Sequence, residues 1–354
     1  MSLEQNSTTT EFPSWFIPLD TIHIICYAFT IVVALLFLFI IIYDKLYTTV
    51  PMMLFTNSCI SELFFATSLF AMATFRIRND IRHVHFYDSF CIFMAYLGYV
   101  SVGVQNYSYL LQAIYRYILI VHPTRLFYQS IEFQLFLIGS SWIFCTIYPI
   151  VLWSTGQIKY IFDDGICQMP LELSFVTIFN AFYVYFIPMS SIILIYLRMV
   201  QYMRDMRKHV TTANRLFHAK RELRMIRRIV SLVFILVTLG LPYAIFIFMS
   251  FFDVAPKYHF RIAFTFICAS LVLVMIALLE ITEPLKNSLM SKLSRQQSKE
   301  IQELVLRLYN DGCDGNEIHK SLRGLISKRT IFYWLKSIKA TGTIQLQGPP
   351  GCPM

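Results

Sequence analysis

The stretch DSFCIFMAYLGYVSVGVQNYSYLLQAIYRYILIV, Asp88–Val121, decides the fold of this chain. It is long and mostly apolar, with Cys91 near one end and Arg116 near the other. A helix rises about 1.5 Å per residue, so these two residues would lie about 37 Å apart. A bilayer with its interfaces is about 40 Å thick, so the stretch offers a thiol to one side and a charge to the other. This arrangement favours a protein that passes information across a membrane.

The composition of the 354 residues is typical of membrane proteins. Hydrophobic residues make up 56% and charged residues only 14%, whereas soluble domains carry about 25% charged residues. Seven apolar stretches each meet the roughly 20 residues that a spanning helix needs. They are Thr21–Tyr43, Pro51–Phe75, Asp88–Val121, Glu132–Ser154, Leu171–Met203, Glu222–Phe252 and Phe260–Thr282. Because lipid cannot satisfy exposed backbone groups, we predict an all-α bundle of seven transmembrane helices.

Positive charge predicts the orientation of this bundle. The segment Arg198–Arg228, which contains the link between the fifth and sixth stretches, carries ten Lys or Arg residues against Asp205 and Glu222. Positively charged links stay cytoplasmic, so we expect an extracellular tail of residues 1–20 and a cytoplasmic C-terminus in the plasma membrane. Asp20, placed before the first helix, agrees with this orientation. Basic residues in the link after the second stretch disagree with it, namely Arg76, Arg78 and Arg82.

Two further features agree with this topology. Asn6 opens a glycosylation triplet, Asn6-Ser7-Thr8, on the predicted outer tail. Cys91 and Cys167 both fall on the outer, oxidising side, where a disulfide between them would pin the second outer loop over the bundle.

An ordered set of residues resembles the rhodopsin-like G-protein-coupled receptors over about Thr21 to Leu293. Arg116 lies 25 residues after Cys91, the family's spacing from its disulfide cysteine to its G-protein-contacting arginine. The other matching positions are His122, Pro123, Trp142, Pro188, Tyr196, Glu222, Pro242 and Pro284. The resemblance implies a receptor, not an enzyme, that binds an extracellular ligand and a heterotrimeric G protein without any cofactor. It also implies helix hinges at three prolines, Pro188, Pro242 and Pro284.

The inner switch departs from the family's pattern. The family has an acidic residue directly before this arginine, but this chain has Tyr115 there. Glu222 is therefore the best anionic partner for Arg116 in the resting state. We predict an Arg116–Glu222 ion pair that opens on activation, with Tyr117 and Tyr196 beside it. The alternative is that Arg116 extends to lipid headgroups.

Three intramembrane carboxylates form a second candidate site, at Glu62, Glu280 and Glu283. Glu62 matches the family's sodium-binding aspartate, and Glu283 replaces a neutral asparagine that normally faces it. Two carboxylates that share a low dielectric tend to share a proton. This predicts a cation site or a protonation-sensitive switch, with a permanently protonated structural pair as the alternative.

The candidate ligand pocket lacks the counter-ion of amine receptors. The position of their aspartate, 18 residues before Arg116, is Gly98. The predicted outer half is instead aromatic, which favours a peptide or a small neutral ligand. The candidate pocket residues are Gly98, Tyr99, Asn180, Tyr183 and Tyr243.

The last 61 residues, 294–354, resemble a different class of protein. We predict a short amphipathic eighth helix up to Leu293, and then helices at Lys299–Asn310, Asn316–Arg323 and Ser327–Ala340. These three helices and the following Gly/Pro-rich segment resemble the helix-turn-helix of Tc1/mariner-type transposases. In such domains the third helix enters the major groove. The resemblance implies candidate nucleic-acid contacts at Lys328, Arg329 and Lys336.

Alternatives remain for the tail and for the whole chain. The tail is either a captured transposon exon or a receptor tail that happens to be helical. A membrane-tethered domain would reach chromosomal DNA only after release near Ser294. The competing interpretations of the whole chain are a membrane-tethered DNA-binding chimera and a transporter, although the repeated halves expected of a transporter are not evident.

Overall fold

The computed structural model describes residues 13–84, 88–209, 238, 240–252, 254–281, 301–322 and 326–341. The chain forms two compact units, Met1–Leu285 and Lys286–Met354. The first unit is a bundle of long helices with a small β-hairpin at one end, and the second is a small helical unit.

The first unit begins with four long helices. These are α1 (Phe16–Tyr43), α2 (Val50–Arg82), α3 (Ser89–Val121) and α4 (Ile131–Ser154). Single 3₁₀ turns, Leu46–Thr48 and Leu126–Gln129, precede α2 and α4. Local side chains start two of the helices, since Asp88 caps α3 by accepting from Cys91 N at 3.0 Å and Ser130 caps α4.

The fifth membrane-spanning segment contains a break in its hydrogen bonding. Helix α5 (Phe175–Ala181) passes through a π-helical segment (Phe182–Phe186) into α6 (Ile187–His209). Pro188 explains the break, because it has no N–H to donate to the carbonyl of Val184 four residues earlier. That carbonyl instead accepts a bond of 2.8 Å from Asn106 Nδ2 of α3.

Two more helices complete the described part of the bundle, α7 (Gly240–Ser250) and α8 (His259–Ile281). Five described helices are long and apolar enough to cross a membrane: Phe16–Tyr43, Val50–Arg82, Ile131–Ser154, Phe175–Asp205 and His259–Leu278. Helix α3 has 33 residues but falls outside these five on composition, since polar residues such as Gln105 and Asn106 lie on its buried face. The chain is therefore a multi-pass helical membrane protein.

A disulfide holds the hairpin on the start of α3. Strands β1 (Lys159–Ile161) and β2 (Ile166–Gln168) pair antiparallel, with Tyr160 opposite Cys167. Cys167 bonds to Cys91, with the two Cα atoms 5.6 Å apart. The disulfide prediction is confirmed, and we call this end of the bundle the disulfide end.

The structure corrects two sequence-based placements at the disulfide end. Helix α2 continues to Arg82, so Arg76, Arg78 and Arg82 belong to a helix and not to a link. Asp20 lies inside α1 and is fully buried, instead of preceding the first helix. Arg76 forms an ion pair with Asp20 at 2.8 Å. The charge of Arg76 is therefore compensated within the bundle, and it does not count against the predicted orientation.

The second unit contains three described helices around its own core. They are α9 (residues 301–310), α10 (Gly315–Ser321) and α11 (Lys328–Thr341). The core consists of Val305, Ile318, Leu322, Ile331, Leu335 and Ile338. Asp314 starts α10 with a capping box: its side chain accepts from Asn316 N and Glu317 N, and the Glu317 side chain accepts from Asp314 N. These backbone N–H groups, that of Glu317 first, lower the pKa of Asp314.

Candidate functional site

The bundle of the first unit encloses a cavity of about 150 Å³. Its walls come from α2, α3, the π-helical segment and its flanking helices, α7 and α8. Gln168, directly after the disulfide cysteine Cys167, also lines it, so the pinned hairpin contributes to the wall.

None of the described residues that line the cavity is charged. Most are apolar or aromatic, and a few can form hydrogen bonds. The polar ones are Tyr99, Gln105, Asn106, Gln168, Asn180, Tyr185, Tyr243 and Ser270. Such a lining can hold an uncharged ligand that is mostly apolar, because an unpaired ligand charge would lose its hydration without gaining a counter-ion.

Several of these polar groups already have hydrogen-bond partners within the protein, so the others are the ones available to a ligand. The Tyr99 hydroxyl accepts from Met169 N at 3.1 Å, and Gln105 Nε2 donates to Glu62. The side chain of Asn180 is buried, and its Oδ1 has no hydrogen-bond partner among the described residues. Asn180 is therefore the best candidate to accept a hydrogen bond from a ligand donor.

Four of the five predicted pocket residues line this cavity: Gly98, Tyr99, Asn180 and Tyr243. Tyr183 is not among the lining residues, and its hydroxyl instead donates to the Phe144 carbonyl of α4 at 2.9 Å. It lies on a different side of the π-helical segment from its neighbours Val184 and Tyr185, which do line the cavity. A π-helical segment changes the direction of successive side chains, and sequence spacing did not reveal this.

A close approach between α7 and the π-helical segment narrows the cavity. A Cβ added at Gly240 would lie 2.6 Å from the Tyr185 hydroxyl oxygen. Any larger residue at position 240 would therefore displace the Tyr185 ring. At Gly98, by contrast, a Cβ would lie 3.6 Å from Met72 Sδ, an ordinary van der Waals contact. Gly240 therefore tolerates a larger side chain less well than Gly98 does.

Deeper in the bundle, Glu62 is fully buried where α2 faces α3. Its Oε1 accepts a bond of 2.7 Å from Gln105 Nε2 and another from the Tyr109 hydroxyl, while Oε2 has no partner among the described residues. The side chains of Glu280 and Glu283 lie outside the described residues. In the described part of the chain, no group of three or more His, Cys, Asp or Glu residues could hold a metal ion. The three-carboxylate site stays a prediction.

At the other end of α3, Tyr115 is buried in an apolar cluster with Leu111 and with residues of α2. Arg116 is partly buried, and Tyr196 of α6 lies within its electrostatic range. Tyr117 packs edge-on against the His122 ring. Arg116 and Tyr196 therefore lie at the same end of the bundle, and the inner switch stays a prediction. Its remaining member, Glu222, lies outside the described residues, as does the predicted hinge Pro284. The hinge candidates Pro188 and Pro242 lie in α6 and α7.

Sequence reasoning missed a buried cluster of charges at the disulfide end. Arg261 of α8 is fully buried and donates to Asp20 Oδ2 at 2.8 Å and to both carboxylate oxygens of Asp80, at 2.8 and 3.0 Å. Its Nε also donates to the Asp164 carbonyl, at 3.2 Å, and its guanidinium lies 3.6 Å from the Phe16 ring centroid. Arg261 thereby joins α1, α2 and α8 to the hairpin turn.

Asp164, in the turn of the hairpin, adds a third carboxylate to this cluster. Burial raises its pKa, although a hydrogen bond from Arg261 N to its Oδ1, at 3.1 Å, partly opposes that effect. A signal for the cluster exists in the sequence. Asp20 and His23 lie three residues apart and Arg76 and Asp80 four apart, so each pair shares one face of its helix.

Comparison with known proteins identifies the family of the first unit. A family model described as 7 transmembrane receptor (rhodopsin family) matches residues 22–291, which is more than half of the chain. No curated protein matches the chain.

Proposed function

Because the chain belongs to the rhodopsin family of seven-transmembrane receptors, we propose that it binds a small, uncharged and mostly apolar ligand in the bundle cavity. The observation that carries this proposal is the lining, in which none of the described residues is charged. The cavity of about 150 Å³ is also smaller than the roughly 300–1,000 Å³ of drug-sized pockets. Both features favour a small neutral molecule over a peptide or an amine.

In this proposal the disulfide end faces the outside of the plasma membrane and the Arg116 end faces the cytoplasm. The basic link between α6 and α7 supports this orientation, since positively charged links stay cytoplasmic. Asn6 would then be glycosylated. A heterotrimeric G protein would insert a helix into a groove beside Arg116 and Tyr196 when the receptor opens.

The ligand class is tested by expressing the full chain with a G-protein dissociation readout. The compounds are small neutral apolar molecules, amines and short peptides, each over a range of concentrations. We expect responses to neutral compounds, and Asn180→Val should weaken the potency of a hydrogen-bonding agonist about tenfold. Phe182→Leu is the matched control because Phe182 is 54% exposed and does not line the cavity. Responses confined to amines or to peptides would overturn the proposal.

The inner switch rests on Arg116 and Glu222. An arginine at this depth is costly unless it is paired, and Tyr115 offers no charge. We therefore expect Glu222→Gln to raise basal signalling, which is measured without any ligand. Unchanged basal signalling at normal surface expression would contradict the ion pair and would favour an Arg116 that extends to lipid headgroups.

The buried Glu62 supports a cation or proton site in the same bundle. Its Oε2 has no partner among the described residues and is available to a cation, and Glu280 and Glu283 are the predicted further ligands. Signalling that responds neither to sodium nor to mild acid would remove this role.

A second candidate function concerns the tail. Helix α11 carries four basic residues and no acidic one, and Lys328, Arg329 and Lys336 are exposed. Such a face suits phosphate contacts of a helix-turn-helix. We propose DNA binding only for a tail that has been released from the membrane. A purified fragment of residues 294–354 that does not bind duplex DNA at low salt would exclude it.

A further inference from the structure

His23 of α1 lies at the centre of the charge cluster at the disulfide end and is fully buried. Its Nε2 lies 3.1 Å from Thr265 Oγ1 of α8, and its Nδ1 lies 3.3 Å from Arg76 Nη2 of α2. The same Nδ1 is 3.4 Å from Asp20 Oδ1, one turn earlier in α1. One imidazole therefore touches both an arginine and a carboxylate that form an ion pair with each other.

The hydrogen bonds assign the tautomer of this imidazole. The Thr265 hydroxyl donates its only proton to the Arg261 carbonyl at 3.1 Å, so its oxygen must accept from His23 Nε2–H. Neutral His23 consequently has no proton on Nδ1. That nitrogen accepts from the Arg76 guanidinium, which has no acceptor atoms of its own.

Protonation would exchange these partners. A proton on Nδ1 turns an acceptor into a donor, so the imidazolium would face the Arg76 guanidinium as one cation against another. The new N–H would instead donate to Asp20 Oδ1. Asp20–Arg76 is a link between two helices, whereas Asp20–His23 lies within α1 alone. The exchange therefore replaces a contact between α1 and α2 with one that joins no helices.

We propose that His23 is a proton-binding site and that its protonation opens the direct Asp20–Arg76 ion pair between α1 and α2. The charged groups that face it are Asp20 on its own helix and Arg76 on α2. Asp80, Asp164 and Arg261, from α2, the hairpin and α8, form the rest of the cluster. The Tyr27 ring, 6.1 Å away, packs beside the imidazole and is uncharged at neutral pH. Arg261 keeps its own bonds to Asp20 and Asp80 and so still bridges α1 and α2, which confines the opening to the direct Asp20–Arg76 ion pair.

The arrangement of Arg76 supports a movable arginine. Its Nε and Nη1 are buried and have no hydrogen-bond partner among the described residues, and its guanidinium lies 5.1 Å from the Phe264 ring centroid. Arg76 is thus fixed to Asp20 and His23 by Nη2 alone. Because the disulfide end is the one proposed to face the outside, acidification outside the cell is the condition under which the ion pair would open.

The test is amide hydrogen exchange of the full chain in lipid nanodiscs at about pH 7.5 and pH 5.5, corrected for the intrinsic pH dependence of exchange. We expect exchange at the Arg76 end of α2 to become about tenfold faster in acid, the size expected for losing one charge-assisted hydrogen bond. No ligand or G protein is needed, so the outcome is independent of the proposed receptor coupling.

Variants separate His23 from other groups that titrate. His23→Asn keeps an acceptor towards Arg76 but cannot be protonated, so exchange should stay slow at both pH values. His83→Asn changes an exposed histidine at the end of the same helix and should behave as the natural chain does. Arg76→Gln loses the ion pair and should exchange fast at both pH values. A natural chain whose α2 exchange ignores pH, or acceleration that persists in His23→Asn, would overturn the proposal.

Discussion

Replacing Arg261 with methionine should strongly destabilise the bundle. The guanidinium is fully buried, and its side chain makes four hydrogen bonds, to Asp20, to both oxygens of Asp80 and to the Asp164 carbonyl. Methionine fills much of the volume but leaves two buried carboxylates without this partner. Removing one partner of a buried ion pair costs about 3–5 kcal/mol. At about 2–4 °C per kcal/mol for domains of 150–250 residues, Tm should fall by roughly 6 to 20 °C.

Thermal unfolding of the purified chain measures this loss, with a thiol-reactive dye that reports exposure of the buried cysteines Cys59, Cys145 and Cys268. Arg261→Lys keeps the charge but not the planar fork, so it should lie between the natural chain and Arg261→Met. Arg82→Met is the matched control, since Arg82 is exposed at the same end. A decrease in Tm for Arg261→Met that is no larger than the decrease for Arg82→Met would refute the reasoning.

Three further predictions follow from single contacts. Gly240→Ala should displace the Tyr185 ring and weaken agonist binding about tenfold, since overpacking costs about 1–3 kcal/mol. Gly98→Ala gains only a van der Waals contact and should bind normally, and saturation binding compares the two variants. Asp164 has a pKa raised by burial, so the folded chain holds its proton more tightly and loses stability as pH rises above the usual range for an aspartate. Asp164→Asn should abolish that part of the pH dependence of Tm. Asp314 has a lowered pKa, so its capping is present at neutral pH and lost in acid. Asp314→Ala should reduce the circular-dichroism helix signal of the tail at pH 7, and this signal should then fall little further in acid. An unchanged signal at pH 7 would contradict the capping role.

The cavity is lined by four of the five pocket residues that the sequence predicts, Gly98, Tyr99, Asn180 and Tyr243. The spacing to Arg116 identifies Gly98. Gln105 and Asn106, about two turns further along α3, also line the cavity but are not among the predicted pocket residues. Tyr183 does not line the cavity, because the π-helical segment before Pro188 shifts the side chains by part of a turn. The disulfide was predicted from the placement of two cysteines on the oxidising side.

The charge cluster could not be derived in the same way. Arg76 was interpreted as a link residue and Asp20 as part of the tail, because a charge in an apolar stretch normally marks the end of a helix. Both lie inside helices and compensate each other across α1 and α2. Asp20 and Arg76 are 56 positions apart in the chain. Whether their charges pair depends on how the helices pack, and no local pattern encodes it.

The sequence by itself determined the class of molecule, because the hydrophobic effect and backbone hydrogen bonding in lipid act on each stretch separately. Apolar length and the basic link were sufficient for a helical membrane protein, and the spacing from Cys91 to Arg116 added the resemblance to a receptor family. Only the tertiary structure decided which polar side chains meet in the interior. A buried charge is stable only with partners in contact, so the roles of His23, Arg76 and Arg261 became visible once the helices were placed together.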